Sequence, residues 1–481
     1  MRKGVMIACM GIILGLSFHA PFFTFLAFLS LPYYIHVMLD ERSLKKSLRI
    51  QFIYTFLYHL CGSCWFLSAM NLEHLGATPL MRYFVVGSGW VLLSFAITLP
   101  YLLIPIVLNG FKQDVTRRLP VLVITYASVE FLMEFTELGF PWFRLGLLCA
   151  NSNEGLWMAS IGGVYLCTVL VLVLSYVFLH MYYHKRKYAW FIFFILISLF
   201  NPSIASCEED VAVSLIQPNI STNTKWNDDF ERINDEVQIN LIENSEGIVF
   251  LAETVVLSED STLQAYLNTT DKEVYYGAIK EFNNEYFNVL LNTYDNTIYA
   301  KQHLVPLGEY VPSLLSDLFP VTNSINLGND LSHGTSPNLF DNGEFKIGGI
   351  ICFEDIYPAL VSRSVRDGAN LLYVASNDGW FNENEMYQHK LHAVLRSAEN
   401  RRSLVRVGNT GMTFITNSWG EVCDSIDTNV AAVLNGYVDI EDTMSIYNIV
   451  GRFIPYIGLI YILASLHTLK KEEWILLFGG K

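Results

Sequence analysis

The strongest limit on what this chain can fold into is a series of apolar runs too long for an ordinary core. Residues 4–19, 21–39, 51–70, 84–108, 119–136, 157–181, 188–204 and 452–469 form eight such runs, several of them near the ~20 residues a helix needs to cross a bilayer. Lipid offers the backbone no hydrogen-bond partner, so a spanning run must be a helix that satisfies its own N–H and C=O groups. Hydrophobic residues make up 52% of the 481-residue chain, more than a soluble protein carries. A multi-pass α-helical membrane domain of about eight spans is expected. No small-residue cleavage site follows the opening run, which therefore reads as a retained anchor rather than a signal peptide.

Charge sets the direction of threading. Basic residues gather at Arg2-Lys3, at Arg42, Lys45, Lys46 and Arg49, at Lys112, Arg117 and Arg118, at Lys185-Arg186-Lys187 and at Lys470-Lys471. Those are alternate connections, and the ones between them carry little more than Arg82 and Arg144. Basic loops stay in the cytoplasm, which places both chain ends there and residues 205–450 outside. That segment holds 13 Lys and Arg against 36 Asp and Glu, a net charge of −23, and leaves +8 on the rest. It would repel nucleic-acid phosphates, so no nucleic-acid partner is expected. The expected domains are residues 1–204 (membrane helices), 205–450 (external) and 451–481 (a last span and cytoplasmic tail).

Within 205–450 short apolar runs alternate with amphipathic ones. Strands are expected over 211–217, 247–251, 273–279, 297–301, 345–351 and 371–375 and around Val405 and Phe414, with helices over 228–243, 355–365 and 387–404. This alternation describes a layered α/β domain, in which side chains at strand ends converge above the sheet edge. Three such ends carry Glu253, Lys301 and Cys352. A helix starting just after Cys352 would stabilise a thiolate. A carboxylate, an amine and a thiol suffice to cleave an acyl bond through a covalent intermediate: the acid takes the thiol proton, the sulfur attacks, and the ammonium steadies the oxyanion. Taken singly, each is as well explained as a buried thiol, a capping acid or a solvated lysine.

The remaining cysteines add little chemistry. Cys61 and Cys64 lie inside an apolar run with no second pair, against a zinc or redox site. Cys207 and Cys423 could pair in an oxidising compartment. No phosphate loop or metal-ligand spacing occurs, so neither metal nor cofactor is expected.

Three longer stretches carry a resemblance. Tyr299-Ala-Lys-Gln-His-Leu-Val-Pro-Leu-Gly-Glu-Tyr-Val-Pro312, Gly349-Ile-Ile-Cys-Phe-Glu354 and Ser376-Asn-Asp-Gly-Trp-Phe381 resemble the nitrilase (carbon–nitrogen hydrolase) superfamily, and most closely its membrane branch, the apolipoprotein N-acyltransferases. Gly139-Phe-Pro-Trp142, Gln217-Pro-Asn219 with Trp226, Gln388-His389, Glu399-Asn-Arg-Arg402 and Arg406 to Gly411 match it too. The resemblance implies an α-β-β-α sandwich for the external domain and a triad of Glu253 as base, Lys301 as oxyanion cation and Cys352 as acylated nucleophile. Supporting or substrate-binding roles fall on Glu309, Glu354, Asn377, Trp226 and Trp380. It further implies a monomer in a bacterial inner membrane with its catalytic domain on the periplasmic side. The donor would be a phospholipid and the acceptor a diacylated apolipoprotein. Phe353 stands where tyrosine is usual, Ala252 for proline, Leu307 for phenylalanine and Trp157 for glutamine, and none of these is a reacting group. A membrane-tethered amidase of the same superfamily is the second reading, and a transporter or scaffold with a degenerate outer domain the third. The intact triad speaks against the last, and a tether would need a single span.

The threading is open to test by labelling single introduced cysteines in intact spheroplasts. Positions 260–270 should react with an impermeant reagent from outside, and positions 112–118 only after lysis. The opposite pattern would place the thiol on the cytoplasmic side.

Overall fold

A computed structural model describes residues 2–69, 79–111, 115–135, 140–184, 210–295, 297–306, 308–311, 331–335, 339–379, 382–451 and 453–468. The chain divides into two compact units, Met1–Pro202 with Val450–Lys481, and Ser203–Ile449.

Among the described residues, four helical stretches are long and apolar enough to cross a membrane: Pro21–Asp40, Tyr83–Gly110, Asn153–Tyr182 and Ile446–Ala464. Lys3–Leu16 is a shorter apolar helix, and Leu44–Gly62 and Val115–Leu132 are helical as well. The run at 188–204 lies outside the described residues. Where helices cannot gain by excluding water, close backbone approach takes over. Gly11 and Gly15 supply it: a Cβ on Gly11 would lie 2.5 Å from the Tyr54 carbonyl oxygen, and one on Gly15 2.5 Å from Cys61 Cβ. Beside this crossing Tyr34 stacks on Tyr54 at 4.3 Å and donates to Gln51 at 2.6 Å. Arg144 is not an exposed loop charge, for it is buried against Glu134 at 2.8 Å. Glu130 accepts from the Leu145 N–H at 2.8 Å and from Thr168 at 2.6 Å, which fixes the backbone after Trp142. Trp142 itself is buried, 5.7 Å from the Trp65 ring.

The described residues of the second unit form two six-stranded sheets. The first comprises β1 (Val211–Gln217), β2 (Ile248–Phe250), β3 (Val274–Phe282), β4 (Glu285–Asn292), β5 (Tyr299–Ala300) and β12 (Ala432–Val438), in the order β12-β1-β2-β3-β4-β5. The second comprises β6 (Leu339–Asp341), β7 (Lys346–Ile351), β8 (Leu371–Ser376), β9 (Ser403–Gly408), β10 (Phe414–Thr416) and β11 (Val422–Ser425), in the order β11-β10-β9-β8-β7-β6. In each sheet three central strands run parallel, β1-β2-β3 and β7-β8-β9, with antiparallel neighbours. Strands covered on both faces need near-continuous apolar sequence, as in Leu371-Leu-Tyr-Val-Ala375.

One core lies between the sheets, with Phe250, Tyr275, Leu290 and Tyr299 meeting Phe340, Ile347, Tyr373 and Val407. A second packs the outer face of the first sheet under helices Glu231–Glu243 and Thr262–Leu267. Helices Pro358–Arg366 and Glu383–Asn400 pack on the second sheet. The layers are therefore α-β-β-α.

Two helices differ from the sequence expectation. The helix expected over 355–365 is broken: Cys352–Ile356 is a 3-10 turn, Tyr357 is extended, and the α-helix opens only at Pro358. The residue before a proline is driven out of the helical region. The helix expected over 387–404 begins earlier, capped by Asn382, whose side chain accepts from Asn384 N and Glu385 N, and ends at Asn400 because Arg401 is left-handed (φ 53°).

Gly349 of β7 faces the sheet interface, where a Cβ would lie 2.9 Å from Phe340 and 3.0 Å from Leu290 of the opposite sheet. Gly349→Val should therefore cost at least the ~1–3 kcal/mol of an overpacked core. A thermal unfolding midpoint in detergent unchanged from wild type would show that the sheets part without penalty there.

Candidate active site

Glu253 lies three residues past β2, Lys301 directly follows β5, and Cys352 directly follows β7. The fold brings the three together. Lys301 Nζ is 3.2 Å from Glu253 Oε1 and 2.8 Å from Glu309 Oε1, with the ammonium only 1% exposed. Asn288 of β4 donates to both acids, at 2.7 Å to Glu253 and 3.3 Å to Glu309. Glu309 also accepts from Val305 N at 2.8 Å, so its loop is tied down. Burial works against the charge on Lys301, but Glu253 and Glu309 outweigh it and hold the pKa above that of an ordinary lysine.

Cys352 sits in the left-handed region at φ 48°, which costs a non-glycine residue about 1–2 kcal/mol. Strain of this kind persists where surrounding structure fixes it, here a strand on one side and the 3-10 turn on the other. Its thiol does not gain the low pKa that a long following helix would give. Burial first, and then Glu253, push it well above the usual thiol value, while Lys301 pulls it down. At rest the sulfur is protonated, and a base has work to do.

Glu354 does not face the sulfur. Its Oε1 accepts from Tyr299 at 2.7 Å, Gln302 N at 2.7 Å and His303 N at 3.2 Å, and its Oε2 accepts from Ile351 N at 2.8 Å. One carboxylate thus ties the backbone beyond Lys301 to the last residue before Cys352. Burial raises its pKa to about 7. Asn377 is buried and accepts from Asn409 at 3.2 Å. Trp226 is 47% exposed, its ring 5.6 Å from Lys225 Nζ. Trp380 lies outside the described residues, as does Leu307. Cys423 is disulfide-bonded, and Cys207 lies outside the described residues.

Sequence reasoning passed over two features. Lys225, buried and next to Trp226, donates to the Glu253 carbonyl at 3.0 Å and to Thr254 Oγ1 at 2.9 Å. It holds the main chain behind the acid from the end of the short helix Thr222–Lys225. Burial lowers its pKa to about 8, against the pull of Glu253 and Cys352. The second feature is a buried ion network beside the thiol. His389 lies 3.1 Å from Asp378 and 3.2 Å from Asp355, and Arg406 lies 2.7 Å from Asp378. Burial opposes charge on His389, but Asp355 and Asp378 overcome it and raise its pKa to about 10. Cys352, Asp378 and His389 offer ligand atoms within 4.8 Å of one another. With His389 protonated and Arg406 on Asp378, two cations already occupy the role a metal would fill. The sequence signal was the matched run from Gln388-His389 to Arg406, which carried no assigned role.

Two facing sheets with a thiol, an ammonium and paired carboxylates at their strand ends define the carbon–nitrogen hydrolase class. Residues 261–447 match the carbon–nitrogen hydrolase family model, and residues 10–177 match the model of the apolipoprotein N-acyltransferase N-terminal domain. The chain belongs to the apolipoprotein N-acyltransferase family of the nitrilase superfamily. It is 26% identical to the apolipoprotein N-acyltransferase of Geobacter metallireducens, over 93% of this chain and 91% of that one. To the enzyme of the same name from Vibrio vulnificus it is 24% identical over 95% of each, and to that from Thermotoga maritima 22% identical over 89% and 86%.

Lys225→Met leaves a buried carbonyl and a hydroxyl without their donor, which should cost ~1–3 kcal/mol of stability. The lysine binds its proton less tightly when folded (about 8) than at its ordinary value of 10.5. The folded state therefore holds fewer protons between those values, and wild type gains stability over the variant as pH rises from 8 to 10.5. Denaturation curves across that range check it; a stability difference that shrinks with rising pH would contradict it.

Proposed function

We propose that this chain transfers a fatty acyl group from a membrane phospholipid, through a thioester on Cys352, to the N-terminal amine of the diacylglyceryl-cysteine of apolipoproteins. The observation that carries the reading is the buried Glu253–Lys301–Glu309 cluster set against the Cys352 thiol.

Glu253 takes the thiol proton, so one negative charge moves from carboxylate to sulfur and the net charge of the buried cluster is unchanged. That avoids the several kcal/mol that creating a lone buried charge would require. The sulfur attacks the ester carbonyl, Lys301 steadies the oxygen as it gains charge, and the leaving alkoxide takes the proton from Glu253. Glu309 keeps Lys301 charged throughout. The acceptor amine then loses a proton to Glu253 as it attacks the thioester, the C–S bond breaks, and the released Cys352 thiolate takes that proton back from Glu253. A phospholipid donor and a lipidated acceptor fit a chain whose other unit carries several apolar helices.

An amidase would share the triad but not the need for those helices. An acyl chain on Cys352 can stay in lipid or an apolar groove, where each methylene contributes about 0.8 kcal/mol. A dozen methylenes would hold it by roughly 10 kcal/mol before ordering costs, while an acceptor anchored in the same bilayer meets it at high effective concentration. We place the protein in a bacterial inner membrane as a monomer of about eight spans, with its catalytic unit on the periplasmic side, an orientation that the alternating basic loops support.

Purified protein incubated with phospholipid should carry one hydroxylamine-labile acyl group on Cys352, stable without acceptor and discharged by a diacylglyceryl-cysteine peptide. Glu253→Gln and Lys301→Met should each slow acylation by ~10² or more. Decay to free fatty acid at the same rate with and without peptide would make the protein a hydrolase.

A further inference from the structure

We propose that Ser376 is a further catalytic residue, whose hydroxyl hydrogen-bonds Asp378 while Cys352 is a thiol and turns to the sulfur when the thiol loses its proton. The proposal rests on the reading of Cys352 as nucleophile.

Ser376 is the last residue of β8, and the parallel pairing of Ile351 with Ala375 places it beside Cys352 across the ladder. Its Oγ is fully buried, 3.4 Å from Cys352 Sγ, 2.7 Å from Asp378 Oδ1 and 3.2 Å from Arg406 Nη2. Arg406 can only donate, so it fills one lone pair of the hydroxyl and leaves its single hydrogen to be given elsewhere. Two acceptors compete for that hydrogen. With a neutral thiol the carboxylate wins, and the S–H can point at the second lone pair of Oγ. With a thiolate the balance shifts, because a charge-assisted bond to sulfur now competes with one to an acid that is already well served. Asp378 keeps Arg406 at 2.7 Å and His389 at 3.1 Å, so it can release the serine at little cost.

The step conserves atoms and charge. The S–H bond breaks, an O–H bond forms on Glu253, and Ser376 rotates about its Cβ–Oγ bond without losing its proton. When sulfur bonds the acyl carbon and charge passes to the carbonyl oxygen, the hydroxyl returns to Asp378. The charged and titratable groups around the sulfur are Glu253 and Asp378, which oppose a thiolate, and Lys301, Lys225, Arg406 and His389. Lys301 is shared with Glu253 and Glu309, and Arg406 with Asp378. Among these neighbours Ser376 is a neutral donor that touches the sulfur itself.

The test is the pH dependence of Cys352 alkylation by iodoacetamide in the full-length protein in detergent, quantified at Cys352 by peptide mass spectrometry. Ser376→Ala should slow alkylation near neutral pH about tenfold, the value of one hydrogen bond to a charged group, and displace the whole profile to higher pH. Ser376→Thr, which keeps the hydroxyl, should retain the wild-type profile. A Ser376→Ala profile that superimposes on wild type overturns the proposal, as does a Ser376→Thr profile displaced like that of alanine. If the alanine variant does not fold, Ser376→Gly removes the same hydroxyl and carries the same two outcomes. Failure of Cys352 to react in any variant, wild type included, would instead overturn the nucleophile reading on which this one stands.

Discussion

The second unit depends on one ammonium held out of water. Lys301 is almost wholly buried and keeps its charge only because two carboxylates flank it. A lone buried cation would cost several kcal/mol or give up its proton. The two acids come from separate segments, the turn after β2 and the loop ending at Glu309, and Asn288 of β4 bonds both. Three pieces of chain are thus located by one charge. Removing Lys301 leaves two buried carboxylates without their shared cation, whereas removing one acid still leaves the lysine a partner.

The second sheet answers with a cluster of its own. Arg406 on β9, Asp378 beyond β8, His389 on helix Glu383–Asn400 and Asp355 in the turn after Cys352 form a buried ion network that also takes in Glu385, 3.7 Å from His389. His389 also reaches the carbonyl of Cys352 at 3.3 Å. Glu354 then ties the end of β7 to the chain after Lys301. The sulfur is therefore held between a cluster of one ammonium and two carboxylates and a second cluster around Arg406 and His389. That suits a thiol that must stay neutral until substrate arrives.

Four of the eight apolar runs return among the described residues as helices long enough to cross a membrane, because length and composition decide such helices with little help from tertiary contacts. The parallel strands were legible too, since their buried stretches are mainly apolar, as in Leu371-Leu-Tyr-Val-Ala375. Strand β4 was missed: Glu285-Tyr-Phe-Asn-Val-Leu-Leu-Asn292 has polar ends and gains its place by pairing with β3. The break at Tyr357-Pro358 was written in the sequence but outweighed by the apolar spacing around it. Glu253, Lys301 and Cys352 could be found from strand ends and resemblance together. Lys225 could not, and Ser376 and Asp378 lay inside a matched motif without a role of their own, since nothing local distinguishes a buried lysine or serine from a solvated one. Burial is decided by chain segments far apart, as when Lys225 meets the carbonyl of Glu253.

The central claim is that this thiol passes an acyl group to an amine. It is tested most directly by the mass of a single lipoprotein recovered from cells that lack their own N-acyltransferase and carry either this chain or its Cys352→Ala form. The account predicts that the wild-type chain adds the mass of one fatty acyl group to the N-terminal cysteine and that the variant, present at equal level, adds none. The same added mass with the Cys352→Ala chain, or no added mass with wild type, would contradict it.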